Sequence, residues 1–216
     1  MRIKPLNGLW LLAAALLATP LEAAEEAAPA DIGLRIGEQA PNFTLKDQNS
    51  HEVSLESLLK KGPVAVVFIR SADWCRFCKF ELIHLQRNLK HFEAVGGQVV
   101  GISYDSTSAL KKFADSRGIT LPLLSDVGSR TIDAYGVRDN TPSAKPGFAA
   151  HATFVLDQKG IVRAKLLKVI YQEQPGVGFL LDALKEARNP DGATRKTAAE
   201  KPQASSNDLK HANTET

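Results

Sequence analysis

Two cysteines separated by two residues are the feature of this sequence best suited to chemistry. Cys75 and Cys78 lie in the run Trp74-Cys75-Arg76-Phe77-Cys78, and they are the only cysteines among the 216 residues. At the start of a helix this spacing puts both side chains on one face, roughly 5 to 6 Å apart, which a disulfide can span. Such a bridge closes a very small loop and adds little stability through chain entropy. Reversible thiol–disulfide exchange therefore explains the pair better than a structural cross-link does.

The surroundings of the pair favour a reactive sulfur. A helix amino terminus offers unpaired N–H groups and the positive end of the helix dipole, and both favour thiolate over thiol. Arg70, Arg76 and Lys79 add positive charge, which Asp73 opposes. Trp74 is expected to shield one side of the pair. Because the thiolate is the attacking species in disulfide exchange and in peroxide reduction, we expect a nucleophilic cysteine here.

Two structural explanations of the pair compete with the catalytic one. The first is an inert disulfide or a pair of core thiols. The second is a zinc site, which would need two more ligands; His84 and His91, the nearest histidines, do not have the spacing of common zinc-binding motifs. We expect both histidines at a helix surface, and we predict no metal and no cofactor.

The elements that must position the cysteines are a strand, a short loop and a helix. The β-branched and aromatic run at residues 64–69 predicts a central strand buried on both faces of a parallel or mixed sheet. Leu82, Leu85, Leu89 and Phe92 recur at spacings of three and four, which predicts an amphipathic helix over residues 77–92. The cysteines then lie where the loop enters this helix.

The remaining patterns predict an α/β domain in which strands and helices alternate. Asp157 to Gly160 supply the turn of a late hairpin, and Pro122 indicates an edge position for its element. The predicted elements are a hairpin at 43–45 and 52–55, a capped helix at 54–59, a strand at 99–104, a helix at 108–116, an edge element at 121–124, a short helix at 129–135, the hairpin at 152–156 and 161–166, and a helix at 178–187.

The amino terminus has the pattern of a targeting segment. Arg2 and Lys4 precede an apolar run at residues 9–18, and small residues follow Pro20. We predict a cleavable secretory signal at residues 1–24, with cleavage somewhere from 23 to 30, and a periplasmic or otherwise extracytoplasmic location. The run is shorter than the roughly 18 to 20 residues that span a bilayer, so no permanent membrane span is expected.

Composition and charge indicate one soluble domain with tails. The chain is 44% hydrophobic and 24% charged, and its net charge of +3 is spread along the sequence, which argues against a nucleic-acid partner. We predict a flexible linker at 25–36, a folded domain at 37–188 and a disordered polar tail at 189–216. Outside the cytoplasm a cysteine pair can persist as a disulfide.

With these motifs, residues 37–187 resemble the redoxin group of the thioredoxin superfamily, meaning peroxiredoxins of the alkyl hydroperoxide reductase and thiol-specific antioxidant (AhpC/TSA) type and their thioredoxin-like relatives. The resemblance implies a thioredoxin-like α/β fold, with a central mixed sheet flanked by helices and an N-terminal hairpin extension. It also implies a thiol-based oxidoreductase. The motifs that carry it are Gly37-x-x-Ala40-Pro41-x-Phe43-x-Leu45, Val67-Phe68-Ile69-Arg70-Ser71-Ala72-Asp73-Trp74-Cys75-x-x-Cys78 and Thr153-Phe154-Val155-Leu156-Asp157-x-x-Gly160.

The sequence departs from both parent patterns. Peroxiredoxins carry Pro-x-x-x-Thr-x-x-Cys, and aligning that Cys with Cys78 puts Ser71 at the Pro and Cys75 at the Thr. The peroxiredoxin Arg before the late strand falls on His151, a residue that is not reliably charged at neutral pH. The thioredoxin cis-proline falls on Ala152. We expect a thioredoxin-like active loop on a peroxiredoxin-like frame.

Three functions follow from this resemblance. In the first, Cys75 attacks a disulfide-bearing protein and Cys78 resolves the mixed disulfide. In the second, the protein is an antioxidant peroxidase in which Cys78 reduces a hydroperoxide and Cys75 resolves. Both need a thiol reductant, which the sequence does not identify, and Trp74, Arg70 and His151 are the candidate supporting residues. In the third, the domain is a redox-inert binding module.

Overall fold

The computed structural model describes residues 32–141, 144–167 and 176–190. The predicted signal, residues 25–31 of the predicted linker and nearly all of the predicted tail lie outside these ranges. Leu34, within the linker prediction, packs partly buried against the core. The elements in chain order are β1 Thr44–Asp47, β2 Glu52–Ser54, α1 Leu55–Leu59, β3 Val64–Phe68, α2 Arg76–Arg87, α3 Leu89–Ala94, β4 Gln98–Ser103, α4 Thr107–Arg117, β5 Leu123–Ser125, α5 Arg130–Ala134, β6 Ala152–Leu156, β7 Val162–Leu166 and α6 Gly176–Arg188.

A seven-stranded mixed sheet in the order β2-β1-β5-β4-β3-β6-β7 organises the domain. Its central strand β3 pairs parallel with β4 and antiparallel with β6, and all five of its residues are buried. Alternate residues of β3 enter two core clusters: Ala65 and Val67 pack with helices α2, α4 and α6, whereas Phe68 packs with Tyr135 and Phe154. The predicted thioredoxin-like α/β fold and its N-terminal hairpin, formed by β1 and β2, are confirmed.

The single helix predicted over residues 77–92 is wrong, because two helices cover this stretch. Asn88 leaves helical geometry at φ −102° and ψ 5°, and its side-chain amide donates to the carbonyl of His84 at 2.9 Å. That bond competes with continued helix formation. Leu85 and Phe92 lie on either side of the break but are both buried in the same core cluster, so the apolar spacing continues across it.

The edge position predicted for residues 121–124 is also wrong. Strand β5 lies inside the sheet, between β1 and β4. Pro122 precedes the strand, and its carbonyl accepts a hydrogen bond from the Gly101 amide at 2.9 Å. The buried side chain of Gln48 bonds the backbone on both sides of this proline, at Leu121 and Leu123. The proline is tolerated because its missing N–H falls outside the ladder.

The remaining predicted elements are present, with ends shifted by one or two residues. Helix α4 ends at Arg117, and Gly118 caps it in the left-handed conformation at φ 62°. Strands β6 and β7 form the predicted hairpin. In the part of the chain that the structure describes, no helix has both the length and the apolar composition to cross a membrane.

Candidate active site

Cys75 is the N-cap residue of α2. Its backbone is extended, and its Sγ atom accepts a hydrogen bond from the backbone N–H of Cys78 at 3.4 Å. The sulfur therefore does what a Ser or Asp oxygen does at most helix starts, and it lies where the helix dipole favours a negative charge. Cys75 is 5% exposed and Cys78 is fully buried, and both are free thiols.

A buried carboxylate fixes the loop that leads into the cysteines. Asp105, just after β4, accepts hydrogen bonds from Ser71 Oγ at 2.8 Å, from the Ala72 backbone N–H at 2.7 Å and from Ser103 Oγ at 2.8 Å. Ser71 Oγ in turn accepts from the backbone N–H of Trp74 at 3.2 Å. Because β3 and β4 are parallel neighbours, their carboxyl ends meet here, and Asp105 ties the two ends together.

His151 completes a compact group with the two sulfurs. It directly precedes β6, and the antiparallel pairing of β6 with β3 brings it to the cysteines. Its Nε2 atom lies 3.6 Å from Cys78 Sγ, and the ligand atoms of Cys75, Cys78 and His151 all lie within 4.8 Å of one another. On the other side of the ring, Nδ1 forms an ion pair with Glu81 Oε2 at 3.3 Å. Glu81 is 1% exposed.

The two thiols have opposite proton affinities. The Cys78 thiol hydrogen-bonds to Cys75, and this bond, with further help from His151, outweighs burial and holds the pKa of Cys75 far below its ordinary value. The same bond, together with burial, raises the pKa of Cys78. These two shifts favour the thiolate on Cys75 and the thiol on Cys78.

The surroundings of His151 favour its charged form. Burial by itself lowers the pKa of His151, but its interactions with Cys75 and Glu81 outweigh burial and raise that pKa to about 9. A charged His151 was not expected from the residue type, because an ordinary histidine is not reliably charged at neutral pH. The difference arises because the fold places the ring between a thiolate and a buried carboxylate, and both stabilise the imidazolium.

Trp74 and Arg70, the other two predicted supporting residues, both contact Phe148. The Trp74 indole N–H donates to the Tyr104 hydroxyl at 2.9 Å, and its ring meets Phe148 edge-on with centroids 5.5 Å apart. The guanidinium of Arg70 lies 5.7 Å from the Phe148 ring centroid and pairs with Asp139 at 3.8 Å. Arg70 therefore directs its side chain to these two residues.

An apolar and basic surface adjoins Cys75 on the helix side. Phe77 and Phe80 are 51% and 46% exposed, and the Arg76 guanidinium lies 5.5 Å from the Phe80 ring centroid. A cavity of about 250 Å³ opens beside Phe80 and Arg76. Its lining residues are Trp74, Arg76, Lys79, Phe80, Ile83 and Arg117.

Two residues of the site escaped sequence reasoning. Glu81 is a carboxylate on the buried face of α2, beside Cys78, Leu82 and Leu85. An acid at an apolar helix position is a signal that could have revealed it, because such residues are rarely buried without a partner. Asp105 follows a predicted strand directly, but nothing in its neighbourhood distinguishes it from an ordinary turn residue.

The fold and the paired thiols define a redoxin of the thioredoxin superfamily. The model of the AhpC/TSA family matches residues 36–165, and the chain belongs to this family.

Individual relatives include both peroxiredoxins and a disulfide isomerase candidate. A protein named peroxiredoxin Q, chloroplastic, from Populus jackii is 35% identical over 138 residues, 64% of this chain and 60% of that relative's length. The crystal structure of peroxidoxin BcpB from Mycobacterium tuberculosis gives a TM-score of 0.63 at 28% identity and covers 70% of this chain and 97% of its own. The solution structure of a candidate protein disulfide isomerase from Bacteroides thetaiotaomicron gives 0.58 at 26% identity, with coverages of 73% and 93%.

Proposed function

We propose that this protein is a dithiol–disulfide oxidoreductase in which Cys75 attacks and Cys78 resolves. The observation that carries the proposal is the asymmetry of the pair. Cys75 caps a helix with its sulfur, whereas Cys78 is fully buried beside it. The lowered pKa of Cys75 and the raised pKa of Cys78 agree with this division of roles.

The reaction begins when the Cys75 thiolate attacks one sulfur of a substrate disulfide. A mixed disulfide forms, and the other substrate sulfur leaves as a thiolate that takes up a proton. The charge on Cys75 has then disappeared, so one of the groups that stabilised the His151 imidazolium is lost. The His151 imidazolium can then give its proton to the leaving substrate thiolate. The neutral ring, with Nε2 3.6 Å from Cys78 Sγ, is positioned to accept the Cys78 proton.

The second step completes the transfer of two electrons from the enzyme dithiol to the substrate disulfide. The Cys78 thiolate attacks Cys75 Sγ, the mixed disulfide breaks, and the substrate's second thiolate leaves and is protonated. The enzyme is left with a Cys75–Cys78 disulfide. An external thiol reductant then restores the dithiol, and running the same steps in reverse would oxidise a substrate dithiol.

A polypeptide disulfide fits the surface around Cys75. The exposed rings of Phe77 and Phe80 offer apolar contact, and Arg76, Lys79 and Arg117 supply positive charge for acidic groups next to the substrate disulfide. We propose that this reaction takes place outside the cytoplasm, where protein disulfides persist.

A second candidate is hydroperoxide reduction, which the peroxiredoxin relatives favour. A Cys78 thiolate would attack the terminal peroxide oxygen, releasing an alcohol and leaving a sulfenic acid. Cys75 would condense with that sulfenic acid, releasing water and forming the same disulfide. The close contact of His151 with Cys78 supports this candidate, whereas the raised pKa of Cys78 opposes it.

Two cysteine variants separate these candidates when insulin disulfide reduction and peroxide consumption are measured side by side. Under the proposed mechanism, Cys78→Ser accumulates a mixed disulfide at Cys75, and Cys75→Ser loses insulin reduction. Rapid stoichiometric sulfenic acid on Cys78 in Cys75→Ser, with no mixed disulfide trapped by Cys78→Ser, would overturn the proposal in favour of the peroxidase. If the thiols resist both oxidant and reductant, the redox-inert binding module is the remaining function.

A further inference from the structure

Cys75, Cys78 and His151 also have the composition of a metal-ligand set. Within residues 32–141, 144–167 and 176–190, they form the one group of three or more histidine, cysteine or carboxylate side chains whose ligand atoms converge closely enough for an ion. Sequence reasoning rejected zinc because it considered only His84 and His91. The ligand it missed is 73 positions from Cys78 and reaches the pair through strand pairing.

The distances suit a thiophilic ion. A tetrahedral ion about 2.3 Å from sulfur and about 2.0 Å from imidazole nitrogen holds those two atoms about 3.5 Å apart. Cys78 Sγ and His151 Nε2 are 3.6 Å apart, and Cys75 Sγ lies within 4.8 Å of both. Two sulfurs on one tetrahedral ion lie about 3.8 Å apart, so a shift of about 1 Å at Cys75 Sγ would bring the second sulfur to the same ion. Thiolate and imidazole donors favour zinc and Cu⁺ among the biological metals.

Glu81 provides the outer partner that metal-bound histidines require. A ligating histidine almost always has its second ring nitrogen held by a carboxylate, a carbonyl or water, which fixes the tautomer and the ring orientation. His151 Nδ1 faces Glu81 Oε2 at 3.3 Å, which leaves Nε2 directed at the sulfurs. The side chain of Glu81 is 1% exposed, and that of His151 is 11% exposed. The ring is therefore oriented before any ion arrives.

We propose that the reduced site binds one thiophilic d¹⁰ cation, Zn²⁺ or Cu⁺, through Cys75 Sγ, Cys78 Sγ and His151 Nε2. The ion displaces the protons that the ligand atoms carry, and a solvent molecule is free to complete the coordination of Zn²⁺. A Cys75–Cys78 disulfide removes both thiolate donors, so oxidation of the pair releases the ion. Metal binding and thiol chemistry thus exclude each other at one site.

The test uses the full chain, reduced and freed of metal under anaerobic conditions. Zn²⁺ is titrated against a chromophoric chelator in one arm, and Cu⁺ against a Cu⁺-specific chelator in the other. We expect one ion per chain in at least one arm, and at least 100-fold weaker binding by the disulfide form of the same protein. Co²⁺ serves as a spectroscopic probe, whose sulfur-to-cobalt charge-transfer band should appear only in the reduced protein.

Variants then locate the ion. His151→Ala should lose most of the affinity, and Glu81→Gln should weaken binding by about 10- to 100-fold while keeping all three ligands. His84→Gln is the matched control on the same helix and should bind as the wild type does. Circular dichroism checks that each variant is folded.

Two results would overturn the proposal. One is equal binding of both ions by the reduced and disulfide forms, or no binding by either form. The other is wild-type affinity in folded His151→Ala, because the ion would then be held elsewhere. Insulin reduction is measured separately in chelator-treated buffer, so a failure of the metal proposal is distinguishable from a failure of the proposed oxidoreductase.

Discussion

His151 Nδ1 lies 3.3 Å from Glu81 Oε2, and this ion pair joins the start of β6 to the buried face of α2. A buried carboxylate is costly unless it is paired, and His151 is the charged partner of Glu81. The same contact points the opposite ring nitrogen at Cys78. Glu81 thus acts on Cys78 through the orientation of the His151 ring, which makes it a positioning residue.

The first prediction follows from this pair. In Glu81→Gln the pKa of His151 should fall below about 9, because Cys75 alone is then left to stabilise the imidazolium. An NMR pH titration of the imidazole resonances in the reduced protein measures it. Glu93→Gln, at an exposed position of α3, is the control and should leave the His151 pKa unchanged. An unchanged value in Glu81→Gln would show that Glu81 does not hold the proton on His151.

The second prediction concerns the pH dependence of thiol reactivity. The lowered pKa of Cys75 keeps it a thiolate throughout the neutral range, so its alkylation rate in the reduced, native protein should be nearly constant from pH 6 to pH 8. An ordinary cysteine, with a pKa of about 8.5, gains nearly tenfold per pH unit over that range. Cys78 should stay unalkylated, because it is fully buried and its pKa is raised.

Mass-spectrometric mapping of the alkylated peptides assigns each rate to its cysteine. Both cysteines of the urea-unfolded protein serve as the reference, and they should show the steep pH dependence of an ordinary thiol. A steep rise for Cys75 in the native protein would contradict the assignment of Cys75 as the thiolate.

The third prediction tests the loop that carries the cysteines. Asp105→Ala leaves three hydrogen-bond donors without their acceptor, on Ser71, Ala72 and Ser103. Each buried donor left unsatisfied costs on the order of 1 kcal/mol or more, so we expect a loss of about 3 kcal/mol in the free energy of unfolding. Urea denaturation of the reduced protein measures it.

The matched control is Asp115→Ala, which removes an exposed carboxylate paired with Lys111 on α4. It should leave the free energy of unfolding nearly unchanged, because exposed ion pairs contribute little. If Asp105→Ala also proves neutral, the loop does not depend on Asp105 for its position. Asp105→Ala should in addition slow Cys75 alkylation under native conditions, since the loop sets the start of α2.

The predictions of the cysteine pair, the central strand and the fold class were made from local residue chemistry and periodic patterns. The spacing of Cys75 and Cys78 is a property of four consecutive residues, so the pair and its helix start could be predicted. Phe68 and its neighbours in β3 are apolar without interruption, and that run identified the central strand. The alternation of strands and helices then predicted the fold class.

Long-range placement could not be predicted in the same way. The resemblance singled out His151. The contacts of His151 with Cys78 and Glu81 depend on the register of β6 against β3, and no local sequence pattern predicts that register. Pro122 led to the prediction of an edge strand. A proline disrupts strand pairing only if it lies within the strand, and the sequence does not show that β5 begins one residue later, at Leu123. The apolar spacing continues across the helix break at Asn88, because Asn88 occupies none of the apolar positions that define the pattern.

The last prediction concerns the compartment in which the thiols work. Arg2, Lys4 and the apolar run at residues 9–18 have the order of a secretory signal, and small residues at 23–30 offer cleavage positions. We propose that the mature chain starts within or just after this stretch and is found outside the cytoplasm.

When the full-length gene is expressed in a bacterium and the cells are fractionated, intact-mass measurement of the extracytoplasmic fraction should give a chain well below 23.4 kDa. Leu11→Arg interrupts the apolar run and should leave an uncleaved chain in the cells. Because glutathione and thioredoxin keep cytosolic thiols reduced, export would also determine that the Cys75–Cys78 disulfide persists until a dedicated reductant reaches it. Recovery of the intact 23.4 kDa wild-type chain from the cytosolic fraction would remove both the signal and this consequence for the redox state of the pair.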